Sequence, residues 1–191
     1  MATRVVIAED EAIIRLDLRE TLEEEGYEVV GEAGRGDQAL ELVRTLRPDV
    51  AIFDVKMPGM DGIAAAGHVT KERICAVLML TAFGQAEFVE RATEAGALAY
   101  LVKPYQKGDL IPAITLAVGR FRELQAMASD IASLQDQLES RKVIDRAKGI
   151  LIDTHGLKEA DAFAFVQRTA MSERTRMRDV AERIISGNLH P

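Results

Sequence analysis

Five short apolar runs separated by helical patterns constrain this chain more than any other feature. "RVVIA" (4–8), "EVVG" (28–31), "DVAIFD" (49–54), "AVLMLT" (76–81) and "LAYLV" (98–102) are nearly continuous in apolar residues. Such runs read as strands buried on both faces. Between them, "AIIRLDLRETLEEEG" sets Ile14, Leu18 and Leu22 at a spacing of four and stops at Gly26. "GDQALELVRTLRP" and "QAEFVERATEAG" stop at Pro48 and Gly96, both good helix terminators. The alternation predicts an α/β fold, a five-stranded, doubly wound parallel sheet with helices on both faces. In open sheets of this kind ligands sit beyond the carboxyl ends of the strands, near the switch in strand order.

From Asp109 the pattern changes. Asp109 is a candidate N-cap and Pro112 is expected in the first turn, where a missing N–H costs little. Apart from Gly119 and Gly149, no stop follows until Gly156, which predicts one long helix. Leu124, Met127, Ile131, Leu134 and Leu138 repeat at a 3–4–3–4 spacing, the seam of a coiled coil. An ordinary amphipathic helix packed on the domain satisfies two heptads equally well. Two shorter helices are expected next. One carries a stripe of Ala162, Phe163, Val166 and Ala170, with Phe163 read as core. The other carries Met177, Val180, Ala181 and Ile184, with Ser172 as its cap. The organisation expected is therefore a first domain over 1–120, a helical or coiled-coil linker over 121–140, a small three-helix all-α domain over 141–187, and a frayed tail over 188–191.

With 191 residues, 48% of them hydrophobic, the chain can bury a core in one or two domains. One cysteine, Cys75, excludes an internal disulfide framework and suits a reducing cytoplasm. No run of about 18 apolar residues is present, so a soluble cytoplasmic protein with no membrane partner is expected. Residues 1–120 hold 13 Lys/Arg against 20 Asp/Glu, whereas residues 121–191 hold 11 of each. The acidic front part would repel nucleic acid phosphates. Any polyanion site in the neutral back part must be a local cluster.

Chemistry gathers at the strand ends. The first strand runs into Glu9-Asp10-Glu11, the third ends in Asp54, the fourth in Thr81, and Lys103-Pro104 follows the fifth. Each feature alone is usually a helix cap or a solvated loop residue. Four at successive strand ends of one parallel sheet are much more specific. Carboxylates so crowded need a cation, and oxygen ligands from short acids suit Mg²⁺, which usually meets a phosphate. Lys103 and Thr81 are suited to holding phosphoryl oxygens. Asp54 then becomes a nucleophile that takes a phosphoryl group as an acyl phosphate. Glu11 reads as structural, an acid at the start of the first helix where the dipole favours it.

"VVIAEDE", "VAIFDVKMPGMDG", "VLMLTAFG" and "ALAYLVKPY", in this order and spacing, resemble the receiver domain of two-component response regulators, over about residues 3–120. The resemblance implies a CheY-like fold, Asp54 as phosphoacceptor and a sensor histidine kinase as donor. It implies Glu9 and Asp10 as the acidic pair serving Mg²⁺, with Asp10, Asp54 and the backbone carbonyl of Lys56 on the ion. Thr81 and Lys103 match the hydroxyl and lysine that contact the phosphoryl group, and Tyr100 matches the aromatic switch residue. Glu9 stands where Asp is commoner. Phe83 is expected to shield the acyl phosphate from water.

"SRKVIDRAKGILIDTHGL", "ADAFAFVQRTA" and "RTRMRDVAERII" resemble the ANTAR domain, the RNA-binding antitermination module of AmiR- and NasR-type regulators, over about residues 130–187. The pair of domains resembles the actinobacterial ANTAR-type response regulators. That implies binding to RNA stem-loops in nascent transcripts, antitermination, and a homodimer promoted by phosphorylation. Three positions depart from the commoner pattern: Lys158, Ala170 and Arg174. Loops of RNA are read by stacking and by cations on phosphates. With aromatics scarce, Arg141, Arg146, Lys148, Arg174 and Arg176 are the candidate RNA contacts, although any of them also reads as a solvated helix face. An interaction module that dimerises without binding RNA is the alternative. A Mg²⁺-dependent phosphohydrolase is disfavoured because no second acid follows Asp54 at DxD spacing. The chain is expected to be a phosphoacceptor rather than an enzyme, limited to self-phosphorylation and self-dephosphorylation.

Overall fold

The computed structural model describes residues 2–82 and 86–191. Two compact units divide the chain, Met1–Gln125 and Ala126–Pro191. In the first, strands β1 (Arg4–Ala8), β2 (Glu28–Ala33), β3 (Val50–Asp54), β4 (Ala76–Thr81) and β5 (Ala99–Val102) alternate with helices α1 (Ala12–Glu24), α2 (Gly36–Leu46), α3 (Gly62–Lys71) and α4 (Ala86–Glu94). The strands form one sheet in the order β2-β1-β3-β4-β5, and all neighbours are parallel.

Alternate residues of the strands serve two cores, as the pleat requires. Val6, Ala8, Ala51, Phe53, Val77 and Met79 pack with residues of α2, α3 and α4. Val5, Ile7, Val50, Ile52, Leu78 and Leu80 pack with Leu18 and Leu22 of α1 and with Leu110, Ile114 and Ala117 of helix α5 (Lys107–His155). Both faces are thus covered, so β3 and β4 can be apolar throughout. The strand order reverses between β1 and β3, which places the switch point where Glu9, Asp10 and Asp54 emerge.

Helix α5 runs from Lys107 to His155 and ends against Gly156, whose φ of +67° glycine adopts without a Cβ penalty. It begins two residues before the expected cap, so Pro112 is its sixth residue and lies beyond the first turn. The Asp109 carboxylate accepts from the backbone N–H of Gln106 at 3.1 Å. In the second unit, α6 (Glu159–Glu173) and α7 (Met177–Ile185) follow. Ala147, Leu151, Ala162, Val166, Ala170, Val180, Ala181 and Ile184 form a buried core.

Three expectations fail in this unit. Phe163 is 42% exposed, and it is Phe165 that packs against the core. Ser172 lies inside α6, where its hydroxyl donates to the Thr169 carbonyl at 3.0 Å. The helix stops at Arg174 in a left-handed conformation, and α7 is capped by Arg176 with Asp179 as partner. The tail is not frayed through its length: Asn188 N–H donates to the Arg183 carbonyl at 2.8 Å, and Leu189 packs on the core. Among the described residues, no helix is long and apolar enough to cross a membrane.

Candidate functional site at the sheet edge

Glu9 follows β1 and still donates its N–H to the Ala33 carbonyl of β2 at 3.0 Å. That bond turns its side chain inward, where it is fully buried. The Arg15 guanidinium, from the first turns of α1, donates to the Glu9 carbonyl at 2.5 Å and anchors the strand end. Asp10 remains exposed. Glu11 precedes α1 as its N-cap, without a side-chain capping bond.

Asp54 ends β3 and is buried. The chain leaves it along a path fixed by Val55 N–H, which donates to the Leu80 carbonyl at 3.0 Å, and by Gly62 N–H, which donates to the Val55 carbonyl at 2.9 Å. Gly62 opens α3 directly beneath: a Cβ there would lie 1.8 Å from the Asp54 carbonyl oxygen. Gly36 plays the same part on the far side of the loop, where a Cβ would meet the Met60 carbonyl oxygen at 2.1 Å. Lys56, whose backbone carbonyl the receiver resemblance places on the ion, lies in this braced segment.

Lys103 completes the cluster. Its backbone N–H donates to the Thr81 carbonyl at 2.7 Å, extending the β4–β5 ladder by one residue. Its ammonium lies 2.5 Å from Glu9 Oε2 and 3.1 Å from Asp54 Oδ2. The Lys103-Pro104 peptide bond is cis. Oxygens of Glu9, Asp10 and Asp54 come within 4.8 Å of one another.

The electrostatics follow from this packing. Burial raises the Glu9 pKa above the ordinary carboxylate value; the hydrogen bond from Lys103 opposes that, and the neighbouring Asp54 charge reinforces it. For Lys103, burial favours the neutral amine but is outweighed by the bond to Glu9 and the charge of Asp54, so the ammonium is held. The site is acidic, desolvated and short of positive charge, a setting that favours a cation.

Thr81 is fully buried at the end of β4. Tyr100 is half-buried; burial lifts its pKa and a side-chain hydrogen bond with Thr81 draws it down. The hydroxyl and the aromatic named from sequence therefore touch. Burial pushes Tyr105, next to this cluster in sequence, up to about 12, with the charges of Asp17, Glu9 and Asp54 adding to the effect. Phe83 lies outside the described residues. Arg15 and Gly36 were not foreseen. Arg15 offers no sequence signal, while Gly62 was visible only as the last letter of "MPGMDG".

The RNA candidates of the second unit do not share one environment. Lys148 is tied to Asp145 at 3.0 Å and to Glu159 at 3.1 Å. Arg176 pairs with Asp179 at 3.2 Å. Arg141 only reaches Asp145 at 4.0 Å. Arg146 and Arg174 have no ion-pair partner among the described residues.

A sheet with this strand order, carrying an acidic cluster, a buried hydroxyl and a lysine at one edge, defines a response regulator receiver. The response regulator receiver domain model matches residues 5–115 and the ANTAR domain model matches residues 132–185. The chain belongs to the response regulators that carry an ANTAR domain. It is 56% identical over 182 residues to the transcriptional regulatory protein PdtaR of Mycobacterium tuberculosis, covering 95% of this chain and 89% of that protein. It is 36% identical to the chemotaxis protein CheY of Thermotoga maritima over 115 residues, 60% of this chain and 96% of that one. The CheY-like receiver of Methanospirillum hungatei superposes with a TM-score of 0.60 at 28% identity, over 64% of this chain and 98% of the other.

Proposed function

We propose that this chain is phosphorylated on Asp54 by a sensor histidine kinase and in that state binds RNA stem-loops to cause transcription antitermination. The observation that carries the reading is the convergence of Glu9, Asp10, Asp54 and Lys103 at one sheet edge, in a chain that also has an ANTAR domain.

The donor set fits Mg²⁺, being oxygen only, with carboxylates close enough to share one ion. Asp10, Asp54 and the Lys56 carbonyl would hold it, with Glu9 behind them. When bound, Mg²⁺ neutralises the carboxylates and the incoming phosphoryl oxygens. An Asp54 oxygen forms the P–O bond as the P–N bond to the kinase imidazole breaks, and the imidazole leaves with the bonding pair. Lys103 then holds a phosphoryl oxygen through a charge-assisted bond. Thr81 turns towards the same group and releases Tyr100 to repack, a shift between two arrangements of the face. The chain acts once on itself and is not an enzyme towards other molecules. Lys56 occupies the position where a phosphohydrolase of the DxD type needs its second acid.

Arg141, Arg146 and Arg174, the cations least engaged by acids, are the RNA contacts best supported. Lys148 and Arg176 would have to exchange a carboxylate for a phosphate. Met127, Ile131, Leu134 and Leu138 are each 57–60% exposed along α5, and Leu124, one heptad step earlier, is 54% exposed. This uncovered seam supports a homodimer, and it also supports the alternative of a dimerising module that never binds RNA. Titrating the full chain against hairpin RNAs at several salt concentrations separates the two. Salt-sensitive binding that weakens in Arg146→Ala and Arg174→Ala supports the RNA reading, and no binding in either phosphorylation state supports the alternative.

A further inference from the structure

A hollow of about 440 Å³ opens between α5 and α6 in the second unit, within the range of about 300–1,000 Å³ that small-ligand sites occupy. We propose that this hollow takes an unpaired nucleobase of the RNA loop, stacked on Phe163, with the adjoining phosphate held by Arg141 at the rim. The proposal rests on the RNA-binding reading above and adds a site to it.

Phe163 is the first argument. Its neighbour Phe165 packs on the core, whereas Phe163 is 42% exposed and lines the hollow. An exposed aromatic in a concave site is a stacking platform, and bases stack on such rings whatever their sequence.

Charge decides what else belongs there. Asp136 and Asp145 line the hollow together with Arg141 and Lys148. Both acids are already engaged, Asp136 by Arg178 at 3.0 Å and Asp145 by Lys148 at 3.0 Å. With two acids and two bases on its walls, the hollow is a poor seat for a phosphate. A flat, neutral, hydrogen-bonding ligand suits it better. The Gln137 amide and Ser140 hydroxyl, also on the wall, both donate and accept, which base edges require. The Arg141 side chain is 83% exposed and no closer than 4.0 Å to Asp145. It is the cation free to meet the backbone of a nucleotide whose base is inserted.

The test uses the full chain and hairpin RNAs selected from a pool with randomised loops, alongside versions with one loop base at a time made abasic. Phe163→Ala is expected to weaken binding roughly 5- to 150-fold, the range for loss of one stacked base. The slope of log affinity on log salt should not change. Phe163→Tyr should retain the affinity, and Arg141→Ala should lower the salt slope by about one. At one loop position, removing the base should cost nothing further in Phe163→Ala. Equal thermal melting of the variants excludes a loss of fold. Phe163→Ala binding as the wild type does, or losses that add at every loop position, overturns the pocket and leaves the RNA reading standing. No hairpin binding by the wild-type chain overturns both.

Discussion

Glu9 is a carboxylate with no solvent, one cation at 2.5 Å and a second acid sharing that cation. Removing one partner from a buried pair leaves an uncompensated charge, which costs about 3 kcal/mol or more. Lys103→Ala is therefore expected to lower stability by about 3 kcal/mol in urea unfolding without divalent ions. Mg²⁺ should then stabilise the variant more than the wild type, because it replaces the missing charge. Equal urea midpoints, or the same response to Mg²⁺, would show that Lys103 does not offset these acids. Cys75 gives a second residue-scale prediction. Burial pushes its thiol from 9.0 up to about 12, so folding disfavours the thiolate. A raised folded-state pKa contributes stability that is present below 9.0 and is lost as pH rises towards about 12. Against Cys75→Ala, the wild type should lose additional stability across that window, and its thiol should react with a disulfide reagent only as fast as the chain unfolds. Rapid modification at neutral pH would contradict this.

At the scale of elements, two glycines should respond with opposite signs. A Cβ at Gly62 would collide with the Asp54 carbonyl at 1.8 Å. Gly62→Ala should thus destabilise by about 1–3 kcal/mol and slow phosphorylation by shifting the braced segment. A Cβ at Gly119, inside α5, would meet nothing within 4 Å. Gly119→Ala should stabilise by about 0.5–1 kcal/mol. Calorimetric melting of both variants reads the signs, and a stabilised Gly62→Ala would mean the loop is not seated on that glycine. The exposed seam of α5 makes a further prediction. Ile131→Lys with Leu138→Lys should keep the phosphorylated chain monomeric in sedimentation, where the wild type doubles its mass.

How much of these elements could be read in advance depended on what fixed them. Buried strands announce themselves as apolar runs, and the end of α5 at Gly156 follows from backbone freedom alone. Phe163 reads as core from sequence but is exposed, because the stripe Ala162, Val166, Ala170 has an aromatic neighbour on each flank and Phe165 is the one that packs. Which flank faces the core depends on how α6 packs, and periodicity carries no such information. The α7 cap differs from the sequence expectation for a similar reason. Ser172 has the right chemistry, but α6 continues through it, and an arginine with a nearby aspartate caps the next helix instead.

For the whole molecule, the sheet edge was legible because parallel topology brings the ends of β1, β3, β4 and β5 together from any sequence separation. The braces at Arg15 and Gly36 were not, since they depend on loop conformations that leave little trace in residue type. The second unit was legible as a helical fold and by resemblance. Its recognition surface was harder to read, because which cations are already held by acids is a property of three-dimensional packing. Phosphorylation of Asp54 is proposed to raise the affinity of that surface for RNA, and a coupling of about 5- to 150-fold is the usual range. The most direct measurement is the affinity of the full chain for hairpin RNAs recovered by crosslinking, with and without phosphate on Asp54, beside an Asp54→Asn variant. Phosphorylation should tighten binding in the wild type and leave the variant unchanged; equal affinity in both states, or no RNA binding at all, would contradict a phosphorylation-controlled RNA-binding regulator.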